Sequence, residues 1–244
     1  MAQASFLPLE GLQQEEQHQR HNRQIVPRKE SLPPATDCFP TGVPVLDQLL
    51  QGGIPRGKMV EIAGDICSGK TSLTFNILAQ ATGQEELVAY IDTFNTLDPR
   101  YLEKSGVDLS RVLWIRCNPE KNNPLDTALK ALDILVQAGG FGVILLDIAS
   151  LPFFKRAPIH RISPHSWFRA QRALKGSHTA LLILSSHKAT GSAAFWALSI
   201  QKEGSRWIPP HSGQRTANYF QGMKCIAQLI RGRNHGCVEV YCRL

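Results

Sequence analysis

The chain has 244 residues, of which 43% are hydrophobic and 19% are charged, and its formal net charge is +7. This composition supplies apolar residues for one substantial core and little for a second, so we expect one domain with a tail. No run of about 18 apolar residues occurs and residues 1–16 lack the pattern of a secretory signal, so we expect a cytoplasmic protein without a membrane span.

The net charge conceals a division along the chain. Residues 1–150 contain 13 lysines and arginines against 18 aspartates and glutamates, whereas residues 151–244 contain 14 against 2. Clustered cations gain free energy by releasing counterions from a phosphate backbone, so the second part predicts a polyanion partner, with nucleic acid favoured. A basic surface that serves solubility or binds an acidic protein is the alternative.

Residues 1–37 are rich in Gln, Glu, His and Arg and contain four prolines. This composition predicts a flexible arm or a partner-binding segment. Residues 38–244 form the predicted folded domain.

Strands and helices alternate from residue 38 onward. Apolar residues recur at helical spacing within residues 124–138, and the continuous apolar runs at 142–147 and 180–185 indicate buried strands. In chain order we predict a strand at 59–63, a helix at 71–81, a strand at 87–91, a helix near 99–105, a strand at 112–116, a helix at 124–138 and strands at 142–147 and 180–185. This alternation predicts an α/β fold with a mostly parallel sheet and helices on both faces.

The last third of the sequence has a different pattern. Strands are predicted at residues 195–201, 206–209, 224–230 and 238–242, with a turn at 232–236 between the last two. We therefore expect an antiparallel C-terminal extension of the parallel sheet.

A glycine-rich segment lies between the first predicted strand and the following helix. Residues 64–71 fit the pattern G-x-x-x-x-G-K-[ST], in which backbone N–H groups surround a phosphate, the lysine reaches the β and γ oxygens, and the threonine hydroxyl binds Mg²⁺. The predicted nucleotide-binding residues are Gly64, Asp65, Ile66, Cys67, Ser68, Gly69, Lys70, Thr71 and Ser72.

Asp147 ends the apolar run Val-Ile-Leu-Leu at 143–146. This position places its carboxylate at the carboxyl edge of the predicted sheet, where the glycine-rich loop also lies. We therefore predict that Asp147 and Thr71 hold Mg²⁺.

Short segments on both sides of the glycine-rich loop resemble bacterial RecA over about residues 38–150. They are Phe-Pro-Thr-Gly at 39–42, Gly-Gly-Ile-Pro-Arg-Gly at 52–57, Val-Glu-Ile at 60–62, Tyr-Ile-Asp at 90–92, Leu-Asp-Pro at 97–99 and Gly-Val-Asp at 106–108. The resemblance implies a RecA-like P-loop NTPase core that binds ATP with Mg²⁺.

One departure from the RecA pattern concerns hydrolysis. RecA has a glutamate that activates the attacking water two residues after the aspartate of the Tyr-Ile-Asp segment, and this sequence has Phe94 there. Phenylalanine neither accepts a proton nor orients water, so the resemblance implies a vacant general-base position. Asp92 or Asp98 is the candidate replacement.

Two further correspondences with RecA involve cationic residues. His187 matches the position of the glutamine that senses the γ-phosphate, and a structural histidine is the alternative. Arg231 and Arg233 match a lysine pair that reaches the ATP of a neighbouring subunit, which implies self-association; an exposed hairpin pair is the alternative.

Two segments match the DNA-binding loops of RecA-like folds, one at residues 151–164 and one at 188–195. Cations beside aromatic rings suit a single strand, because phosphates need charge and bases need stacking surfaces. A solvated basic loop with Phe153 and Phe154 in the core is the alternative. The predicted DNA-binding residues are Lys155, Arg156, Arg161 and Lys188.

Residues 197–200 and 205–207 resemble the terminal region of the ImuA type of shortened RecA-like protein. This resemblance implies an ATP-responsive adaptor in DNA-damage-induced translesion synthesis, with an error-prone polymerase-like partner and nucleoid association. An active DNA-dependent ATPase that forms filaments on single-stranded DNA is the alternative.

Overall fold

The structure is a computed structural model that describes residues 37–118, 123–149, 162–208, 219–232 and 236–243. The described strands are β1 Cys38–Phe39, β2 Ile54–Pro55, β3 Met59–Gly64, β4 Val88–Asp92, β5 Val112–Arg116, β6 Val143–Asp147, β7 Ala180–Ser185, β8 Trp196–Ile208, β9 Tyr219–Arg231 and β10 Gly236–Arg243. Eight of these strands form one sheet in the order β10-β9-β8-β3-β7-β6-β4-β5, and β1 pairs with β2.

Helix α1 Pro44–Leu49 lies between β1 and β2. The strands of the parallel part are connected by α2 Lys70–Gly83, α3 Pro99–Lys104, α4 Pro124–Ala138 and α5 Pro164–Leu174, and a 3₁₀ turn spans Leu109–Arg111. Asn123 and Ser163 cap α4 and α5 by accepting hydrogen bonds from backbone N–H groups, and a proline follows each cap. Such caps satisfy N–H groups that the first helical turn leaves free.

Strands β3, β4, β5, β6, β7 and β8 run parallel, and the antiparallel pairing begins between β8 and β9. β4 and β6 are buried at every residue, as expected for a sheet covered on both faces. Helix α2 packs on one face, whereas α4 and α5 pack together on the other. The predicted fold class, with its antiparallel C-terminal extension, is confirmed.

Two details of the sequence prediction were wrong. β8 is one strand through residues 202–204, where two separate strands were expected, because an irregularity in its pairing with β9 absorbs this polar stretch. Helix α5 was missed, although Trp167, Ala170 and Leu174 recur at helical spacing and are buried.

None of the described helices is long and apolar enough to cross a membrane.

Candidate nucleotide-binding site

The loop between β3 and α2 is tightly packed and contains unusual backbone conformations. Cys67 and Gly69 have positive φ values of 60° and 91°. A Cβ atom on Gly64 would lie 2.5 Å from the carbonyl oxygen of Ile200 and 2.6 Å from the Ser68 Oγ. Glycine is therefore required at 64 for space and at 69 for its dihedral angle.

The antiparallel pair β9 and β10, called here the C-terminal hairpin, packs directly against this loop. A Cβ atom on Gly69 would lie 2.6 Å from the Cys225 Sγ on β9 and 3.0 Å from the Cys242 Sγ on β10. The Cys242 thiol donates to the carbonyl oxygen of Gly69 at 3.5 Å. Burial raises the pKa of both thiols, that of Cys242 to about 12, so they are packing groups rather than reactive ones.

Lys70 is the first residue of α2 and is 7% exposed. Its ammonium donates to the carbonyl oxygen of Asp65 at 2.9 Å, which holds it against the loop. Burial lowers the pKa of Lys70, while the nearby carboxylates of Asp147 and Asp65 act in the opposite direction. An anion bound in the loop would add negative charge beside this buried ammonium and favour its charged form.

Asp147 lies at the end of β6 and is 8% exposed. Its carboxylate accepts a hydrogen bond from the Tyr90 hydroxyl at 2.8 Å and another from the Ala149 N–H at 2.9 Å. Burial raises the pKa of Asp147 despite these two bonds and the nearby Lys70, and the charge of Asp92 acts in the same direction as burial. A bound cation would favour the ionised form.

These groups line one cleft of about 280 Å³ at the carboxyl edge of the sheet. One wall is formed by the loop and α2, and the other by residues 96–101. The Tyr101 hydroxyl lies 3.1 Å from the Ser72 Oγ, and the Tyr101 ring packs against Phe75 at a centroid distance of 5.4 Å. The residues that line the cleft are Ile66, Cys67, Lys70, Thr71, Phe75, Tyr90, Thr96, Leu97, Asp98, Tyr101, Asp147 and Ala149.

The donor set of this cleft fits a nucleotide phosphate and a divalent cation. The Ser68 Oγ is buried and has no hydrogen-bond partner among the described residues. Buried hydroxyl groups are normally hydrogen-bonded, so this oxygen is consistent with a ligand site. Lys70 and the N-terminus of α2 supply positive charge for phosphate, while Thr71 and Asp147 supply the oxygen ligands that Mg²⁺ prefers.

Asp92 is the neighbour of Asp147 across β4 and β6, but it is fully buried and does not line the cleft. Its carboxylate accepts hydrogen bonds from the Thr96 N–H at 2.9 Å, the Leu97 N–H at 3.1 Å and the Trp114 indole at 3.2 Å. The two backbone bonds hold the turn after β4 and the third ties it to β5, and the geometry favours this structural role over that of a general base. Asp98 is exposed in the cleft and caps α3, so of the two candidates it is the one with access to solvent.

Phe94 is 3% exposed and belongs to the apolar core on the α4 side of the sheet. Position 94, two residues after the Tyr-Ile-Asp segment, therefore directs an aromatic ring into the core. A glutamate at the same position would have to leave this core to reach the cleft.

The remaining predicted site residues are separated from the cleft or lie outside the described residues. His187 and Lys188 are exposed in the loop after β7, and neither lines the cleft. The Arg231 guanidinium donates to the carbonyl oxygen of Gly191 at 3.0 Å, which ties β9 to the loop after β7. The residues outside the described part are Lys155, Arg156, Arg161 and Arg233.

Sequence reasoning missed three residues that shape the site. Tyr90 was quoted for its resemblance to RecA but not as the partner of Asp147, although a polar ring in an aliphatic strand was a signal. Cys225 and Cys242 are buried residues of strands β9 and β10, and no pattern in the sequence indicated that they contact the loop.

Four features together define the P-loop class of α/β proteins. They are the buried strand β3, the glycine-rich loop, the helix that begins at Lys70 and the strand that ends at Asp147. A family model described as the RecA N-terminal domain matches residues 13–157, which is more than half of the chain. The chain belongs to the RecA family. The match begins within residues 1–37, so the flexible arm remains a prediction.

Three RecA proteins illustrate the similarity. The Methylococcus capsulatus protein is 42% identical over 112 residues, which are 46% of this chain and 31% of the relative. The Streptomyces coelicolor protein is 39% identical and the Francisella philomiragia protein 38% identical over the same length, which is 29% and 30% of those relatives. The chain thus matches less than a third of each curated relative.

Replacing Gly69 with alanine tests the packing of the loop against the hairpin. The positive φ value and the 2.6 Å approach to the Cys225 Sγ predict a loss of roughly 1–3 kcal/mol in the free energy of unfolding, measured in urea. Adding Cys225→Ala should recover part of this loss, because the Cys225 Cβ would lie at an ordinary 3.7 Å.

Gly83→Ala provides the matched control for Gly69→Ala. Gly83 ends α2, and a Cβ atom there would have no heavy atom within 4 Å. Its substitution should leave the free energy of unfolding unchanged or raise it by about 0.4–1 kcal/mol. Equal losses from both substitutions would contradict the steric account.

Replacing Asp147 with asparagine tests the cost of the buried carboxylate. Because burial raises the pKa of Asp147 in the folded state, its ionised form destabilises the fold at neutral pH. Without nucleotide or Mg²⁺, Asp147→Asn should have a higher Tm than the parent chain at pH 7. The difference should shrink as the pH falls below the raised pKa of Asp147 in the folded state, and it should vanish near the ordinary pKa of an aspartate.

The exposed Glu103 supplies the control, since Glu103→Gln removes the same unit of charge from the surface of α3. The Tm of Glu103→Gln should stay close to that of the parent at pH 7 and at the lower pH where Asp147 is protonated. A lower Tm for Asp147→Asn at pH 7 would show that the carboxylate stabilises the apo fold.

Proposed function

We propose that this RecA-family protein binds ATP with Mg²⁺ and acts in DNA repair as an accessory protein of DNA-damage-induced translesion synthesis, with little or no ATP hydrolysis. The observation that carries the proposal is the combination of a complete phosphate-binding cleft with Phe94 packed into the apolar core. The cleft supplies binding groups, but the position of the expected general base supplies none.

Each group of the cleft has a part in binding. The N–H groups of residues 64–71 and the Lys70 ammonium would hold the phosphates, while Thr71 and Asp147 would hold Mg²⁺, which neutralises phosphate charge when bound. On the other wall, Tyr101 offers a ring face to a base and Asp98 offers a hydrogen-bond acceptor. The Tyr90 hydroxyl orients the Asp147 carboxylate.

The distribution of exposed cations supports binding of single-stranded DNA. α5 contains no acidic residue, and the cations that are exposed along the basic second part are not balanced by carboxylates in number. A surface of this kind attracts phosphate by counterion release. The exposed described lysines and arginines of this part are Arg169, which pairs with Asp133 on α4, and Arg172, Lys175, Lys188, Lys202, Arg206 and Arg231.

The adaptor role rests on the resemblance of residues 197–200 and 205–207 to the ImuA type. In this proposal an error-prone polymerase-like protein is the partner, and the complex lies in the cytoplasm on the nucleoid. Trp207 is 54% exposed and packs edge-on against Phe220, so this end of the hairpin presents aromatic surface to a partner. Self-association through Arg231 and Arg233 remains part of the proposal.

A DNA-dependent ATPase that forms filaments is the second candidate. It is favoured by the presence of Lys70, Thr71 and Asp147 in one cleft, since these groups also serve hydrolysis in P-loop enzymes. It requires a replacement base, and the exposed Asp98 is better placed for this than the buried Asp92.

Nucleotide binding and turnover separate the two candidates. Fluorescence titration with an ATP analogue and Mg²⁺ should show binding, and Lys70→Ala should weaken it roughly 10- to 100-fold because a charge-assisted hydrogen bond is lost. Steady-state turnover with saturating single-stranded DNA should stay at background. Turnover of about 1 s⁻¹ or more, typical of enzymes, would favour the second candidate.

If turnover is observed, Asp98→Asn and Asp92→Asn test the replacement base. Loss of turnover in Asp98→Asn with normal nucleotide binding would assign that role to Asp98. Phe94→Glu should lower stability without adding turnover, because its carboxylate would start from the apolar core.

The salt dependence of DNA binding tests the role of the basic second part. Log affinity for single strands should fall linearly with log salt, with a slope of about 0.7 per neutralised phosphate. Replacing Lys155, Arg156 and Arg161 with alanine should flatten the slope by about two units, because three contacts are lost. Fluorescence anisotropy with a labelled oligonucleotide provides the measurement.

The control for this experiment replaces three exposed cations of the acidic first part, Arg100, Lys104 and Lys130. This variant loses the same charge and should retain the slope of the parent. An unaltered slope in the first triple variant would place DNA elsewhere or assign the basic surface to an acidic protein.

A further inference from the structure

Glu61 is a buried carboxylate that the nucleotide cleft does not use. It lies in β3, three residues before Gly64, and is 1% exposed. Its neighbours at alternate positions, Met59 and Ala63, are buried apolar residues, and Met59 belongs to the core on the α4 side of the sheet. A carboxylate in such surroundings is destabilising unless both oxygens are hydrogen-bonded.

Among the described residues, the side-chain hydrogen bonds of Glu61 come from the end of β7 and the segment after it. Oε1 accepts from the Ser185 hydroxyl at 2.9 Å and from the Ala189 N–H at 2.6 Å. Oε2 accepts from the Thr190 N–H at 3.3 Å and from the Thr190 hydroxyl at 2.5 Å. These donors are neutral, so the carboxylate serves to hold a backbone segment rather than to form an ion pair.

The segment held in this way, residues 186–190, is called here the 186–190 loop. It contains His187 and Lys188, which are both exposed, whereas Thr190 is 3% exposed. Its two ends are thus fixed to the sheet, at Ser185 through pairing of β7 with β3 and at Thr190 through Glu61. The exposed His187 and Lys188 lie between the two fixed points.

We infer that Glu61 is a positioning residue that couples the phosphate loop to the 186–190 loop. β3 continues directly into the phosphate loop at Gly64, so a ligand that fixes the end of β3 also fixes the carboxylate and the two N–H groups that donate to it. The inference deepens the proposed function and rests on it, since the ligand is ATP and the positioned residues His187 and Lys188 face the proposed DNA.

Hydrogen-bond chemistry explains why this position needs a carboxylate. Ala189 and Thr190 each present a backbone N–H, which only an acceptor satisfies. A glutamine has one acceptor oxygen, and its amide group would place N–H donors against one of these N–H groups. Glu61→Gln therefore preserves size but releases one side of the loop.

Hydrogen exchange of the Ala189 and Thr190 amides tests the inference without requiring DNA. In the parent chain, a non-hydrolysable ATP analogue with Mg²⁺ should slow exchange of these amides by at least about tenfold, because nucleotide fixes the end of β3. In Glu61→Gln this response should be lost, while affinity for the analogue stays within about threefold of the parent, since Glu61 does not line the cleft.

Two variants separate coupling from a general loss of stability. Leu132→Ala removes packing from α4 in the same core and should retain the nucleotide response despite its lower stability. Thr190→Ser retains both the hydroxyl and the N–H donor and should also retain it. Loss of the response in Leu132→Ala would overturn the inference, because the effect would then follow stability alone.

The outcomes also separate this inference from the proposed function. If the parent binds the analogue but its Ala189 and Thr190 amides do not respond, or if Glu61→Gln responds as the parent does, the inference is wrong and the proposed function stands. If the parent does not bind the analogue, both fail. A gain in DNA affinity with nucleotide that is present in the parent and absent in Glu61→Gln would extend the coupling to DNA.

Discussion

The burial of charged groups at the carboxyl edge of the sheet is the constraint on which the site depends. Glu61, Lys70, Asp92 and Asp147 are each at least nine-tenths buried. A buried charge is tolerated only with hydrogen-bond partners or an opposite charge. Glu61 and Asp92 have full sets of neutral donors and hold loops, whereas Lys70 and Asp147 retain capacity for a ligand and face the cleft. The division between structural and binding charges follows from this difference.

The parallel part of the fold could be predicted from the sequence because burial on both faces produces continuous apolar runs, such as residues 143–146 and 180–185. The phosphate loop could be predicted because its backbone requires glycine at fixed positions. The merging of two predicted strands into β8 could not, since a polar stretch such as 202–204 has the same composition whether the chain turns or continues through an irregularity. Helix α5 could have been predicted, because Trp167, Ala170 and Leu174 recur at helical spacing.

Roles that depend on contacts between distant segments were beyond sequence reasoning. Asp92 and Asp98 are similar as sequence candidates for a base, and only the three hydrogen bonds to the Asp92 carboxylate distinguish them. The contact between Arg231 and Gly191 likewise joins residues 40 positions apart. Such pairs are set by the order of strands in the sheet, which local patterns do not encode.

The contact of Cys225 and Cys242 with Gly69 means that the loop and the hairpin share one small volume. A side chain larger than a thiol at either cysteine would displace the loop, and any side chain at position 69 would displace the sulfurs. These three positions, although up to 173 residues apart, are therefore sterically coupled, so that an increase in side-chain volume at one requires a decrease at another. The final strand pair thus bounds the candidate nucleotide site, and larger side chains fit only on its face that points away from the loop.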